Sequence, residues 1–358
     1  MHAPKDGDTA EAVATKLLSD SRVVPARVLS KNDPAETEGT GLAGQISRDE
    51  GRSEREAFWL TWKEVAVGGR RVVYGEAGDG PVVLFLHGWG LDHRAYKRAL
   101  SRLAAAGVRV VAPALPGFGG SAALPNDSFT LVGLGNWIGE LLEALEVSGP
   151  VLVVGHSFGG GVGITFAHDH PERVRGLVLV NSIGASAWAQ RGTAKRSMGD
   201  RPLWDWGIHF PDDLWPLSQA RRVLPVVLTE AVGNLARDPL SFVRAAGLAR
   251  SANLLDELEE LKRRRLPVVV LWGSRDRIVT RDAFDEMCVV LGTPQSVTVE
   301  GSHAWLIADP DAFGEVMTNV VGVADLAKAL SPRHPIKEIK EVARAALGRR
   351  RRHSRSSG

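Results

Sequence analysis

The apolar residues of this chain fall into short runs that alternate with segments of helical periodicity. The runs Pro81–Leu86 and Val151–Val154 contain no polar position, as is typical of strands that helices cover on both faces. Such alternation of strands with helices predicts a doubly wound, mostly parallel sheet. A helix is predicted over 129–147 because its apolar residues share one face: Leu134, Ile138, Leu141, Leu142 and Leu145.

The same pattern extends to both ends of this core. An antiparallel hairpin is predicted over 59–74, where Gly68-Gly69 provides the turn. The other predicted elements are, in chain order, a helix over 94–106, strands over 108–112, 176–180 and 267–272, a helix over 281–291, a strand over 296–300 and a helix over 311–330.

An insertion interrupts the alternation between Ser182 and Leu266. We predict that residues 184–262 form a helical cap, because an insertion at the ends of the strands would cover the edge of the sheet where ligands bind. The alternative is an insertion whose tryptophans pack only its own core. The core then comprises residues 56–183 and 263–330. The aromatic residues of the insertion are Trp188, Trp204, Trp206, Phe210, Trp215 and Phe242.

Charge is distributed unevenly, although the formal net charge is only +2. Residues 331–358 carry nine Lys and Arg against two Glu, whereas the rest of the chain carries 35 basic and 40 acidic residues. Two interpretations of this basic tail stand: a solvated, disordered terminus, or a weak amphipathic helix that contacts an anionic membrane or nucleic acid. Residues 1–55 are polar and lack periodicity, which predicts a disordered extension.

The composition indicates a globular protein without a membrane span. Hydrophobic residues make up 44% and charged residues 24%, and no apolar run is long enough to cross a bilayer. The first residues contain no apolar leader, and the single cysteine excludes an internal disulfide. We therefore expect a cytoplasmic protein, with peripheral membrane contact through the tail as the alternative.

The strand Val151–Val154 leads directly into Gly155-His-Ser-Phe-Gly159. A serine on a tight turn from strand to helix needs small neighbours, and Gly155 and Gly159 provide that room. The turn exposes the Ser157 hydroxyl above the sheet edge, as a nucleophile requires. The competing interpretation is that Ser157 only caps the following helix.

A serine nucleophile needs a base and a group that orients the base. Asp276 follows the predicted strand over 267–272, and His303 follows the strand over 296–300. The order Ser…Asp…His is one of the known chain orders of such a triad. The alternatives are an Asp276 that pairs with Arg275 or Arg277, and a solvated loop histidine.

The tetrahedral intermediate also needs two backbone N–H groups that stabilise its oxyanion. We predict these donors to be the N–H of Phe158, directly after Ser157, and that of Trp89. Trp89 lies in the loop after the strand Pro81–Leu86, where Gly88 and Gly90 allow close approach of the backbone. His87 is predicted to shape this loop by hydrogen bonding to backbone.

Together these motifs resemble the α/β-hydrolase superfamily over residues 56 to about 330. The resemblance implies an α/β-hydrolase fold, with a doubly wound, mostly parallel eight-stranded sheet and a helical cap after the sixth strand. It also implies the triad Ser157, Asp276 and His303 of a serine esterase or lipase-like member. The motifs are His87-Gly-Trp-Gly90, Pro116-Gly-Phe-Gly-Gly-Ser121, Gly155-His-Ser-Phe-Gly159, Trp272-Gly-x-x-Asp276 and Gly301-Ser-His303.

The residues at and around the triad restrict the classes of reaction that we expect. Related epoxide hydrolases and dehalogenases use an aspartate where this chain has Ser157, which argues against both. Relatives that cleave carbon–carbon bonds of ring-cleavage products usually have Asn and Trp where His156 and Ala304 stand. The first hypothesis is therefore a hydrolase of small carboxylic esters with an apolar acyl or alcohol group. Carbon–carbon hydrolysis and a non-catalytic binding protein are the alternatives; we predict no metal or cofactor, and the oligomeric state stays open.

Overall fold

The computed structural model describes residues 59–188, 196–197 and 217–329. The predicted extension at 1–55 and the basic tail at 331–358 lie outside these residues, as do Trp204, Trp206, Phe210 and Trp215 of the predicted cap. Among the described helices, none combines the length and the apolar character that a membrane span requires.

The strands of the described residues form one large sheet and a separate short pair. They are β1 (Thr61–Val67), β2 (Arg70–Ala77), β3 (Val82–Leu86), β4 (Arg109–Pro113), β5 (Val151–His156), β6 (Val174–Val180), the short pair β7 (Ala187–Trp188) and β8 (Arg196–Ser197), β9 (Val268–Gly273) and β10 (Gln295–Val299). The large sheet has eight strands in the order β1-β2-β4-β3-β5-β6-β9-β10. The pairs β1–β2 and β2–β4 are antiparallel, and all other neighbours in this sheet are parallel. This confirms the predicted mostly parallel, eight-stranded sheet that opens with a hairpin.

Helices cover both faces of the sheet. They are α1 (Lys97–Ala104), α2 (Leu131–Ala144), α3 (Phe158–Asp169), α4 (Leu217–Arg237), α5 (Pro239–Ser251), α6 (Leu255–Arg263), α7 (Arg281–Val290), α8 (Trp305–Ala308) and α9 (Pro310–Ala329). On one face, buried residues of α2, α3, α6 and α7 form a core cluster with the strands, and on the other face α1, α8 and α9 form the second cluster.

The apolar pattern explains these layers. All six residues of β5 are buried, because the strand lies in the middle of the sheet between two helical layers. Helix α2 buries Leu134, Ile138 and Leu141 in the core. Thr130 caps its N-terminus, because the Thr130 side chain accepts from the Gly133 N–H.

Three helices lie in the range predicted for the cap. Helix α4 contains Pro225, and α5 begins with Pro239 after Asp238, whose side chain caps it. Helix α6 turns Leu258 and Leu261 into the core cluster beside α3. The cap boundaries at 184 and 262 stay a prediction.

Candidate active site

The turn between β5 and α3 holds Ser157 in a strained backbone conformation. Its φ of 52° is combined with a ψ of −116°, a backbone conformation that non-glycine residues rarely adopt. The glycines on either side are required by space. A Cβ on Gly155 would lie 2.5 Å from the Gly159 carbonyl oxygen, and one on Gly159 would lie 2.3 Å from the Leu86 carbonyl oxygen.

This close packing gives a stability prediction for a matched pair of glycines. We expect Gly159→Ala to destabilise the fold by about 3 kcal/mol or more, because the methyl group meets backbone that cannot move aside. At Gly247, in helix α5, an added Cβ would meet no atom within 4 Å. Gly247→Ala should therefore stabilise the protein by about 0.5–1 kcal/mol. Urea denaturation of both variants checks this, and equal effects at the two sites would contradict it.

Asp276 and His303 form a buried hydrogen-bonded pair. His303 Nδ1 lies 2.8 Å from Asp276 Oδ2, and the side chain of Asp276 has no exposed surface. The other carboxylate oxygen, Oδ1, accepts from the backbone N–H of Ile278 at 2.8 Å and of Val279 at 2.9 Å. A carboxylate can only accept, so Nδ1 donates and Nε2 is left to take a proton.

One of the two alternative partners of Asp276, Arg275, is engaged elsewhere. Arg275 donates to Glu300 Oε1 at 2.8 Å. The loop that carries His303 also lies against the turn that carries Ser157. The rings of His156 and His303 have centroids 4.9 Å apart, and His156 Nε2 lies 3.0 Å from the His303 carbonyl oxygen. The three predicted residues thus follow the parallel strands β5, β9 and β10 and lie at the carboxyl edge of the same sheet.

The loop after β3 lies beside Ser157. A Cβ on Gly88 would lie 2.9 Å from His156 Nδ1 and 3.3 Å from the Cβ of Ser157, so a larger residue here would force these neighbours to shift. The Gly88 N–H donates to the Tyr96 hydroxyl at 3.1 Å and is therefore not available to an oxyanion. The Trp89 N–H, next along the loop, and the Phe158 N–H, which has no acceptor within helix α3, remain the two predicted donors.

His87 contacts backbone on both sides of its ring. Its Nε2 accepts from the Leu115 N–H at 2.9 Å, so Nδ1 carries the proton and donates to the Gly88 carbonyl at 2.9 Å. The residue is fully buried, and burial lowers the pKa of the imidazole. A neutral ring with both nitrogens occupied suits the predicted loop-shaping role and not that of a base.

Asn181 is a residue that the sequence pattern did not reveal, yet it joins three loops of the site. Its Oδ1 accepts from the Gly273 N–H at 2.9 Å and from the Trp305 indole at 3.3 Å. Its Nδ2 donates to the His303 carbonyl at 3.1 Å. The residue follows β6 with a φ of 45°, and an asparagine directly after an apolar strand is the signal that could have revealed it.

Helix α4, in the range predicted for the cap, is anchored to the same edge through a buried amide. Asn234 donates from Nδ2 to the Gly90 carbonyl at 3.2 Å and accepts at Oδ1 from the Gly119 N–H at 3.0 Å. Helix α5 adds a second contact, because the Trp89 indole donates to the Phe242 carbonyl at 2.8 Å. The loop that carries a predicted oxyanion donor is thus held by helices α4 and α5 as well as by the core.

A carboxyl pair also crosses from α4 to the core. Glu230 hydrogen-bonds to the buried Asp92, which caps the short turn at His93–Tyr96. Burial first, and then the Asp92 carboxylate, raise the pKa of Glu230 from 4.5 to about 7, while Arg94 and Arg237 act in the opposite direction. Near neutral pH the pair shares one proton.

This pair predicts how stability depends on pH. Between pH 4.5 and about 7 the folded protein keeps the Glu230 proton that the unfolded chain has released, so the contribution of Glu230 to stability falls as pH rises through this range. Glu230→Gln removes the ionisation and still donates to Asp92. We expect its Tm at pH 8 to exceed that of the wild type by about 2 °C or more, with little difference at pH 5.

Scanning calorimetry at both pH values measures this difference. The control is Glu259→Gln, at an exposed position of α6, which should follow the wild type at each pH. A Glu230→Gln variant that is less stable than the wild type at pH 8 would contradict the shared-proton description.

The described residues contain no group of three or more His, Cys, Asp and Glu side chains that could hold a metal ion. The chemistry that the site offers is that of a serine, an imidazole and a carboxylate. Set on a doubly wound sheet with a strained serine turn, these groups define the class of the α/β-hydrolases.

Comparison with known proteins identifies the family within this class. The model of the alpha/beta hydrolase family matches residues 83–316, and the chain belongs to this family. Among solved structures, a bacterial membrane phospholipase A superposes with a TM-score of 0.61 at 22% identity, covering 79% of this chain and 92% of the other. At that identity the likeness shows the shared fold.

Curated relatives carry several different names. A protein of Mycobacterium phage D29 named for the non-heme haloperoxidases is 28% identical over 71% of this chain and 92% of its own length. The pimeloyl-[acyl-carrier protein] methyl ester esterase of Aeromonas hydrophila is 26% identical over 68% of this chain and 97% of its own. The 2-hydroxymuconate semialdehyde hydrolase of Pseudomonas sp. strain CF600 is 36% identical over 51% and 59%.

Proposed function

We propose that this α/β-hydrolase cleaves small carboxylic esters through an acyl-enzyme. The observation that carries the proposal is the 2.8 Å hydrogen bond from His303 Nδ1 to Asp276, because it leaves Nε2 as the basic nitrogen beside the Ser157 turn. A serine hydroxyl is a weak nucleophile until such a base removes its proton.

The reaction follows from these positions. His303 Nε2 takes the proton of Ser157 Oγ as that oxygen bonds to the ester carbonyl carbon, and the carbonyl electrons move to the oxyanion held by the Trp89 and Phe158 N–H groups. When the carbonyl re-forms, the alcohol leaves with the proton from Nε2. Water then attacks the acyl-enzyme by the same sequence, and the acid and Ser157 are released. Asp276 stabilises the imidazolium in both steps.

The apolar side of the site supports a substrate with an apolar group. Trp89 and Phe242 have ring centroids 4.7 Å apart, and the ring centroid of Phe118 lies 6.3 Å from that of Phe242. These rings adjoin the loop of the predicted oxyanion donor. The methyl ester esterase among the relatives fits the same substrate class.

A second candidate is hydrolysis of ring-cleavage products. The 2-hydroxymuconate semialdehyde hydrolase among the relatives favours it. His156 and Ala304, which replace the Asn and Trp usual in that group, argue for the ester.

A substrate panel separates these candidates. We expect turnover of p-nitrophenyl esters of increasing acyl length and none of a ring-cleavage dienone. A fluorophosphonate probe should label Ser157 and block turnover. Turnover of the dienone alone would establish the second candidate, and an unlabelled, inactive protein would favour a binding function.

A further inference from the structure

A chain of hydrogen bonds joins the three loops of the site behind the reacting groups. It begins at the Gly88 N–H, which donates to Tyr96 Oη at 3.1 Å. Tyr96 Oη lies 2.8 Å from His156 Nδ1, and His156 Nε2 lies 3.0 Å from the His303 carbonyl oxygen. Tyr96 and His156 are buried, and neither is part of the predicted triad or oxyanion hole.

The direction of every bond in the chain is fixed. The His303 carbonyl can only accept, so His156 Nε2 carries a proton. Burial, followed by the nearby His303, lowers the pKa of His156 to about 3, so the ring is neutral and Nδ1 accepts from the Tyr96 hydroxyl. Tyr96 Oη in turn accepts from Gly88. One tautomer and one hydroxyl rotamer satisfy all the groups.

We propose that Tyr96 and His156 are positioning residues. They hold the loop after β3, the turn that carries Ser157 and the loop that carries His303 in fixed positions relative to one another. The inference rests on the proposed ester hydrolysis and adds to it. By accepting from the Gly88 N–H, Tyr96 also excludes Gly88 as the oxyanion donor of this loop. By holding the His303 carbonyl together with Asn181, His156 fixes the backbone from which the base extends.

The first test removes one hydroxyl. Tyr96→Phe leaves the Gly88 N–H and His156 Nδ1 without their partner, and we expect kcat to fall about 10-fold or more with KM within about twofold. Tyr74→Phe, at the other tyrosine of the chain, is the matched control and should keep the wild-type kcat. A Tyr96→Phe enzyme with unchanged kcat would overturn the proposal.

The second test divides the histidine into its two contacts. In His156→Gln the side-chain amide can still donate to the His303 carbonyl, as His156 Nε2 does. In His156→Asn the amide oxygen can still accept from the Tyr96 hydroxyl, as His156 Nδ1 does. If these hydrogen bonds act together, Tyr96→Phe should lower kcat only slightly in the His156→Gln background, which has already lost the contact with Tyr96. Fully additive losses in this cycle would contradict the coupling.

The third test does not depend on turnover. In ¹H–¹⁵N spectra of the imidazoles, His156 should appear as the neutral tautomer protonated at Nε2 even at pH 5, and Tyr96→Phe should shift its Nδ1 resonance and speed exchange of the Gly88 amide. Titration of His156 near the ordinary pKa of an imidazole would contradict the proposed chain of hydrogen bonds. Should the wild type hydrolyse no ester of the panel while these spectra hold, the proposed function fails and the hydrogen-bond chain stands.

Discussion

Replacing Ser157 with alanine is expected to lower kcat by about 10⁴-fold or more, with KM changed only slightly. The hydroxyl is the group that would form the acyl-enzyme, and alanine leaves His303 without a proton to remove. The residual rate would come from substrate binding and the oxyanion donors alone. The strained turn itself depends on Gly155 and Gly159, so the variant should fold as the wild type does. Steady-state hydrolysis of the best ester in the panel measures the loss.

The control for this variant is Ser182→Ala. Ser182 is buried at the end of the neighbouring strand β6, and its hydroxyl donates to the Ile183 carbonyl. This variant should keep its activity and its labelling by the fluorophosphonate probe, whereas Ser157→Ala loses both. A folded Ser157→Ala enzyme at full activity would exclude the acyl-enzyme mechanism.

Asp276→Asn is expected to lower kcat by about 10⁴-fold through the wrong tautomer of His303. Two backbone N–H groups, of Ile278 and Val279, face Oδ1, so the amide oxygen of the asparagine must take that place. The amide NH₂ then faces His303 Nδ1 and donates to it. The imidazole proton is forced onto Nε2, which can no longer accept from Ser157.

Ester hydrolysis and imidazole ¹⁵N shifts together test this result. The shifts should show His303 protonated at Nε2 in Asp276→Asn and at Nδ1 in the wild type. Asp282→Asn, in the first turn of α7, is the matched control and should leave both readings unchanged. Loss of activity without a change of tautomer would assign Asp276 a purely structural role.

The centre of the sheet could be predicted because its strands are apolar at nearly every position. The run before Ser157 is buried on both faces, and the predicted strands over 267–272 and 296–300 correspond to β9 and β10. Parallel strands deliver their loops to one edge, so chain order alone places Asp276 and His303 together. Their hydrogen bond follows from this topology.

The positioning residues could not be predicted in the same way. Tyr96 and His156 are 60 residues apart, and Asn181 meets His303 across 122 residues. Each looks like an ordinary polar residue at the end of an element, because their partners are mainly backbone groups that carry no sequence pattern. The contacts of Asn234 with Gly90 and Gly119 could not be predicted for the same reason.

The double hydrogen bond of Asn234 limits how this enzyme can be re-engineered. Exchanging α4 and α5 for the equivalent segment of a relative is an obvious route to new substrates, since these helices contact the loop beside the serine. A graft without an amide at position 234 would leave the buried Gly90 carbonyl and Gly119 N–H without a hydrogen-bond partner. Chimeras of this scaffold therefore have to carry that asparagine across with the foreign helices.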